Sequence, residues 1–240
     1  MMIPALANPE RFMAFSRWAA PLFGAIAVGL LVVGLVLDFR APPDYQQGYA
    51  VHIMFIHVPA AWMSLLIYAC LGVASFLSLV FRHALAQAAA RAAAPLGAAV
   101  TLLALITGSL WGKTTWGAWW VWGDPRLTSV LVLFLFYLGY LALDASIEDE
   151  ARAAPATSIL ALVGLVNLPI VHFSVTWWRS LHQGSSVFRS GGPAMPAVYL
   201  APLLVMGLAY LAGFGALWLV RIRGEVWRRR AVVRAARRAG

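Results

Sequence analysis

The chain has 240 residues, of which 62% are hydrophobic and only 11% are charged. Soluble globular domains are about 45–50% apolar and about 25% charged, so this composition excludes that class and indicates a polytopic membrane protein. The formal net charge of +9 does not indicate a nucleic-acid-binding protein, because eight arginines lie within residues 221–240. A basic segment directly after an apolar run is instead typical of a membrane topology signal that contacts the lipid bilayer.

Six apolar segments are long enough to cross a bilayer as helices, which takes about 20 residues each. The first follows Arg11 and Arg17 and is longer than the apolar region of a signal peptide, so we interpret it as an uncleaved span. Short connections rich in Pro, Gly and charge separate the segments. We therefore predict an all-α fold with one six-span membrane domain over residues 1–240. The predicted spans are residues 18–38, 52–81, 93–111, 128–144, 157–175 and 198–220.

The distribution of Lys and Arg predicts the orientation of these spans. With six spans both termini lie on one side of the membrane, and that side carries thirteen basic residues against five on the other. The positive-inside rule then places both termini in the cytoplasm. The prediction depends on the basic tail, residues 221–240, because the two sides are equal without it. The opposite side, the periplasm of a bacterium, receives a tryptophan-rich loop at residues 111–129.

Four of the five histidines lie towards the predicted periplasmic side. His52 and His57 begin the second span, His172 lies near the end of the fifth, and His182 follows in the next connection. Ionisable groups close to the membrane often mark function, although water reaches span ends and interfacial side chains are also found there. Neutral imidazole binds iron, copper, zinc and nickel, so these residues alone do not identify a metal. The sequence lacks the HExxH pattern of zinc hydrolases, whereas two axial histidines suffice for haem.

The segment WGKTTWGAWWVWGDPRLTS, residues 111–129, concentrates five tryptophans within twelve residues. An interfacial aromatic belt would explain some of them, but this density favours the binding of a flat ligand by indole faces. Trp116, Trp119 and Trp120 have the spacing that would place them on one face of a short interfacial helix, with Trp122 elsewhere. Flanking polar groups are available for haem propionates, because arginine binds carboxylates with two parallel hydrogen bonds. These candidates are Lys113 and Arg126.

This segment resembles the tryptophan-rich WWD signature of a haem-handling protein family. Within that family the chain resembles the haem exporter C branch, which serves bacterial system I cytochrome c maturation. The resemblance extends over nearly the whole chain, because further motifs agree in order and spacing. They are DYQQG (44–48), HVPAAW (57–62), TGSLWGK (107–113), VNLPIVHFSVTWW (166–178) and LHQGS (181–185).

The resemblance implies a protein of the bacterial inner membrane whose functional loops are periplasmic. It implies that His57 and His182 are the axial ligands of a haem b, one from each side of the tryptophan-rich loop, with His172 as a supporting residue. The haem would be delivered to a periplasmic haem chaperone, maturation protein E. Further implied partners are two ABC transporter subunits, maturation proteins A and B, and the small membrane protein D.

One departure from the family signature lies inside the loop. The usual signature runs from Trp-Val-Trp directly into Asp, whereas here Gly123 separates Trp122 from Asp124. The Asp-x-Arg-Leu-Thr part of the signature is present, so the resemblance implies that Asp124 and Arg126 are polar residues of the haem site. The added backbone freedom of glycine changes the expected placement of the carboxylate relative to the indoles. The sequence shows no general acid or nucleophile for covalent attachment of haem, which indicates a haem-presenting component. The alternative functions are a membrane b-type cytochrome that transfers electrons and a haem permease subunit.

Overall fold

The computed structural model describes residues 8–239, which form helices joined by irregular connections and contain no β-strand. Six helical segments are long and apolar enough to cross a membrane, which confirms the predicted all-α, six-span fold class. Each helical segment extends beyond the apolar run predicted for it. The helices are α1 (Pro9–Arg40), α2 (Met54–Phe81), α3 (Ala84–Trp116), α4 (Pro125–Ser146), α5 (Glu150–Gly164), α6 (Asn167–Trp177) and α7 (Ala197–Ala239), and a 3-10 turn (Tyr49–Ile53) leads into α2.

Local sequence signals set several of the helix ends. Asn8, Asp124 and Asp149 begin α1, α4 and α5, and each side chain accepts a hydrogen bond from a backbone N–H of the first turn. Such caps satisfy donors that have no partner inside the helix. Gly117 ends α3 with φ +75°, a left-handed conformation that glycine adopts without steric cost. The connection that follows is therefore free to turn back over the end of α3.

The centre of the bundle is formed by α2, which packs against α3, α5 and α7, while α1 packs along α7. A cluster of buried tyrosines fills the space between α2 and α4, where the Tyr137 hydroxyl donates to the Ser64 carbonyl at 2.8 Å. On α3, a Cβ at Gly97 would lie 2.1 Å from the Tyr137 ring. The small residues of α3 therefore allow a close approach of α4, because an interior this dense has no room for an added methyl group.

The fifth span is not the single continuous helix that its hydropathy predicts. Helix α5 ends at Gly164 and α6 begins at Asn167. Pro169 has no N–H, so the Leu165 carbonyl accepts instead from Leu168 at 3.1 Å, and the chain passes through a tight turn. The break lets Asn167 donate from its side chain to the Ser129 carbonyl at 2.9 Å, which ties α6 to α4.

The end of the bundle that contains the starts of α3 and α5 has a network of ion pairs. Arg91 of α3 contacts Asp144 of α4 at 2.9 Å and Glu150 of α5 at 3.2 Å. Glu150 also pairs with Arg228 and Arg229 of α7. The basic segment predicted as a tail is thus a continuation of α7, and two of its arginines hold helix ends together. The candidate histidines lie at the opposite end, called here the histidine end.

Candidate functional site

His57 lies in the first turn of α2 and points at α3. Its Nδ1 is 3.0 Å from the Ala104 carbonyl oxygen and 3.1 Å from Thr107 Oγ1. A carbonyl oxygen can only accept, so Nδ1 carries the proton and donates it. The lone pair of Nε2 is consequently free, which is the form in which histidine binds a metal.

Two residues of α3, Gly108 and Trp111, shape the surroundings of the His57 ring. A Cβ at Gly108 would lie 2.7 Å from Cε1 of His57, so only glycine allows this close approach. Trp111 packs edge-to-face against His57 with ring centroids 5.7 Å apart. Its Nε1 donates to Oε1 of Gln47 at 2.7 Å, and Gln47 lies in a turn stabilised by the Asp44 carboxylate. The DYQQG motif therefore positions the indole that contacts His57.

His182 reaches the same end from the connection between α6 and α7. Its Nδ1 lies 3.4 Å from Oδ1 of Asp124 and 3.3 Å from Oγ of Ser180. The Ser180 hydroxyl donates to Asp124, so its oxygen accepts from His182. Burial lowers the pKa of His182 below its usual value against the opposing attraction of Asp124. His182 is therefore a neutral imidazole at neutral pH, with Nδ1 protonated and Nε2 free.

Asp124 is 2% exposed and joins two segments that are far apart in the sequence. Oδ1 accepts from the backbone N–H groups of Arg126 and Leu127, both at 3.0 Å. Oδ2 accepts from the Ser180 hydroxyl at 2.7 Å and from the Leu181 N–H at 2.8 Å. Burial alone would raise the pKa of this carboxyl, but these hydrogen bonds outweigh it and hold the pKa below its usual value. We call these residues, Asp124 with its four donors, the Asp124 knot.

The tryptophan-rich connection is not the short helix proposed from its spacing. Trp116 is the last residue of α3, and the left-handed Gly117 stops the helix before Trp119 and Trp120. The chain folds back instead, and Ser109 of α3 donates to the Trp119 carbonyl at 2.6 Å. The prediction of one shared helical face for the three indoles is therefore wrong, because glycine ends α3 between the first and second of them.

The four candidate indoles have different surroundings. Trp116 packs edge-to-face on His182 with centroids 4.8 Å apart, which brings α3 and the second histidine together. Trp119 is 56% exposed and Trp122 is 74% exposed. Trp120 packs on Trp122, and its buried Nε1 has no acceptor among residues 8–239. A buried N–H without a partner is costly, and this donor is free to bind an added acceptor.

The polar candidates have defined partners. Lys113 Nζ donates to the Gly117 carbonyl at 3.0 Å. Arg126 donates from Nε to Ser174 Oγ at 3.2 Å and from Nη2 to the His172 carbonyl at 3.4 Å. The His172 ring itself is exposed and packs on Phe173.

Several of these partners were not singled out in the sequence. Ser180, Gly108 and Gln47 all lie within the family-like motifs or beside them, but nothing in their local pattern shows what they contact. His52 pairs with Asp38 at the end of α1, which accounts for that histidine without a ligand. Its ring stacks on Tyr49.

The two imidazoles with free Nε2 atoms therefore flank the last turns of α3. They contact Trp111 and Trp116 of that helix, respectively. Among the described residues, no group of three or more His, Cys, Asp or Glu side chains forms a metal-ligand cluster. The donor set at this end is two neutral imidazoles beside an indole-rich loop.

Comparison with known proteins identifies the family. Residues 2–237 match the sequence profile of the family described as "Heme exporter protein C". The chain belongs to the haem exporter protein C family. Curated members include proteins of Bradyrhizobium diazoefficiens, 52% identical over 96% of this chain and 87% of the relative, and Paracoccus denitrificans, 46% identical over 99% and 98%. The member from Escherichia coli strain K12 is 46% identical over 92% of this chain and 89% of its own length.

Proposed function

We propose that this chain binds haem b at its histidine end through Nε2 of His57 and Nε2 of His182. It then delivers the haem to the periplasmic haem chaperone, maturation protein E, for the maturation of c-type cytochromes. The observation that carries the proposal is that both imidazole rings are held through Nδ1 and leave Nε2 free. Each Nδ1 is held by an acceptor, so each Nε2 presents a lone pair beside the same helix end. Haem is the cargo of this site and not a group that the chain consumes.

The chemistry of the surrounding residues fits a porphyrin. A porphyrin is a flat aromatic ring with two propionates, and it binds best between two axial nitrogens within an apolar surround. The indoles of Trp116, Trp119, Trp120 and Trp122 supply aromatic area, and the orphaned Nε1 of Trp120 supplies a donor. Lys113 and Arg126 are the nearby cations for propionates. Asp124 acts through the loop that it holds, because its oxygens are occupied by protein donors.

The position of the site suits transfer. His57 lies in the first turn of α2 and His182 in the connection after α6, and the tryptophan-rich connection at the same end exposes the indoles of Trp119 and Trp122. A b-type cytochrome instead usually places its two histidines inside the bundle on facing spans. A site at the rim keeps one edge of the ring accessible to a soluble chaperone. The chaperone supplies the nucleophile for covalent attachment, and this chain holds and presents the haem.

The membrane setting follows from the charges. We propose that the termini are cytoplasmic and that the histidine end is periplasmic in a bacterial inner membrane, in agreement with the positive-inside rule. The chain then works beside two ABC transporter subunits, maturation proteins A and B, and the small membrane protein D. These partners are expected to contact surfaces away from the histidine end, which must stay open to the chaperone.

A transfer assay tests the function. Purified chain in lipid nanodiscs is loaded with haem, separated from free haem and mixed with soluble chaperone. We expect haem to move to the chaperone, followed by its absorption after the nanodiscs are removed. Free haem at the same concentration, with empty nanodiscs, is the control. Equal transfer from the control, or haem that stays with the chain, would contradict delivery.

A substitution at Gly108 tests how the His57 ring is positioned. A Cβ at this position would lie 2.7 Å from Cε1 and 3.3 Å from Nδ1 of His57, so Gly108→Ala must push the ring off the Ala104 carbonyl. Loss of an orienting contact of a metal ligand typically costs 10–100-fold in affinity, so we expect haem affinity to fall by about that factor. The measurement is a haem titration followed by visible absorption.

Gly29→Ala is the matched control for that titration. No heavy atom lies within 4 Å of a Cβ at Gly29 on α1, so this variant is expected to bind haem as the wild type does. An unchanged affinity in Gly108→Ala, with normal folding, would show that contact with α3 does not orient His57.

A further inference from the structure

A second cleft opens on the side of the bundle between α4 and α6. Its volume is about 450 Å³, and its walls include Val132 of α4, Ile170 of α6 and Trp178. Neither His57 nor His182 lines it. Gly123 and Pro125, which precede and follow Asp124, are part of its lining. The cleft is therefore distinct from the proposed haem site, although the residues next to Asp124 line it.

The lining of this cleft is divided between apolar and charged parts. Val132 and Ile170 are its apolar lining, and Asn167, whose amide already donates to the Ser129 carbonyl, also lines it. Arg179 lines the cleft beside the end of α6, and no salt bridge or side-chain hydrogen bond joins its guanidinium to the part of the chain that the structure describes. Its neighbour Trp178 is half exposed. A Trp beside an unpaired Arg at a helix end is typical of the headgroup region of a membrane.

The dimensions fit a lipid chain. The cleft extends along α4 from Pro125, the first residue of the helix, to Val132. At 1.5 Å per residue this is about 10 Å, which leads from the helix end into the depth of the hydrocarbon layer. A ligand that fills it has an apolar chain at Val132 and Ile170 and an anionic group at Arg179.

We propose that this cleft binds one anionic phospholipid, with its phosphate on Arg179 and one acyl chain between α4 and α6. Haem shares an apolar body and acidic groups with such a lipid, but the cleft offers no imidazole or thiolate to its iron. A phospholipid is therefore the ligand whose acyl chain and phosphate match the apolar and basic residues that line the cleft. The inference does not depend on haem binding at the histidine end.

The position of the lipid has a structural consequence. Trp178 and Arg179 directly precede Ser180 and Leu181, which donate to Asp124. A lipid bound to Arg179 would therefore restrain the same connecting segment that contains His182. Lipid binding is expected to reduce the mobility of this connection without contacting the imidazole.

The test is lipid binding by the whole purified chain. Delipidated protein in detergent is titrated with phosphatidylglycerol or with phosphatidylcholine, and native mass spectrometry counts the lipids retained. We expect one phosphatidylglycerol to be retained in preference to phosphatidylcholine. One basic side chain near an anionic headgroup contributes about a fivefold preference, so Arg179→Gln is expected to lose about that factor. Arg189→Gln, an exposed arginine of the same connection that does not line the cleft, should keep the wild-type preference.

A second variant separates the acyl chain from the headgroup. Val132→Trp places a large side chain in the apolar part of the cleft. We expect this variant to release phosphatidylglycerol while circular dichroism shows the helical content unchanged. Retention of phosphatidylglycerol by both Arg179→Gln and Val132→Trp would overturn the proposal. A third titration uses haemin with a His57→Ala, His182→Ala chain. Haemin binding that Val132→Trp abolishes, without phosphatidylglycerol binding, would assign the cleft to haem and also overturn the lipid.

Discussion

Replacing either His57 or His182 with alanine is expected to abolish the visible absorption spectrum of a haem with two imidazole ligands. Each substitution removes one of the two Nε2 atoms that have a free lone pair, because the Nδ1 of each ring is held by an acceptor. Loss of a residue that merely orients a ligand costs about 10–100-fold in affinity, so loss of the ligand itself is expected to cost at least about 100-fold. The measurement is haem content per chain and absorption of the purified protein, before and after addition of free imidazole. Imidazole should restore much of the spectrum by replacing the missing side chain.

The matched control is His52→Ala. This histidine also lies at the histidine end, but its ring pairs with Asp38 and packs on Tyr49 and Phe55. The variant is expected to retain the wild-type spectrum and haem content. Normal spectra in both His57→Ala and His182→Ala would refute the ligand assignment, and loss of haem in His52→Ala alone would move the ligand to that position.

The second large effect is expected from the Asp124 knot. Asp124→Ala leaves the buried N–H of Leu127 and the partly buried donors of Ser180 and Leu181 without their acceptor. A buried unsatisfied donor costs about 1–3 kcal/mol, and water that enters the opened site recovers part of this, so we expect a loss of about 2–4 kcal/mol in the free energy of unfolding. The connection that carries His182 should also be released, with a fall in haem affinity of about 10–100-fold. Thermal unfolding and haem titration measure the two effects.

Two comparisons make this result specific. Asp149→Ala removes a helix cap of the same kind from α5, at the opposite end of the bundle. It is expected to cost about 1 kcal/mol and to leave haem affinity unchanged. If Asp124→Ala lowers stability without lowering haem affinity, the knot does not position His182. Asp124→Asn keeps one oxygen for the cap but turns an NH₂ group towards other donors, so an intermediate loss is expected.

The stability contributed by Asp124 also has a defined pH dependence. The pKa of its carboxyl is lower in the folded protein than in the unfolded chain. Its contribution is therefore complete above the unfolded pKa, about 3.9 for Asp, and is lost as the pH falls through the folded value. Between pH 7 and pH 5 the stability difference between wild type and Asp124→Asn should stay constant, and it should shrink at more acidic pH. A difference that already vanishes near pH 6 would contradict a depressed pKa.

Hydropathy and turn residues were sufficient to predict most of the architecture. Six apolar runs predict six spans because the transfer of a helix into lipid depends mainly on the summed polarity of its own residues. Two details escaped this reasoning for local reasons. The fifth span is broken before Pro169, and Gly117 ends α3 inside the tryptophan-rich segment. Pro169 and Gly117 are both evident in the sequence, but a hydropathy analysis takes no account of their effect on the backbone.

The site itself was only partly predictable. Its motifs and the family resemblance singled out His57, His182 and the indoles, and the structure shows that both histidines contact the tryptophans of α3. The sequence had suggested Asp124 as a polar contact of the ligand. The structure shows its carboxylate occupied by donors up to 57 residues away in the chain.

The sequence by itself determined the class of protein and the number of spans, and it singled out the candidate histidines and indoles, since these depend on composition and on local order along the chain. Only the tertiary structure decided which ring nitrogen of each histidine is free, why residue 108 must be glycine and which side chains hold His182 in place. These features depend on contacts between residues on different helices and loops. Such contacts form when apolar faces pack, and neither spacing nor hydropathy specifies their partners.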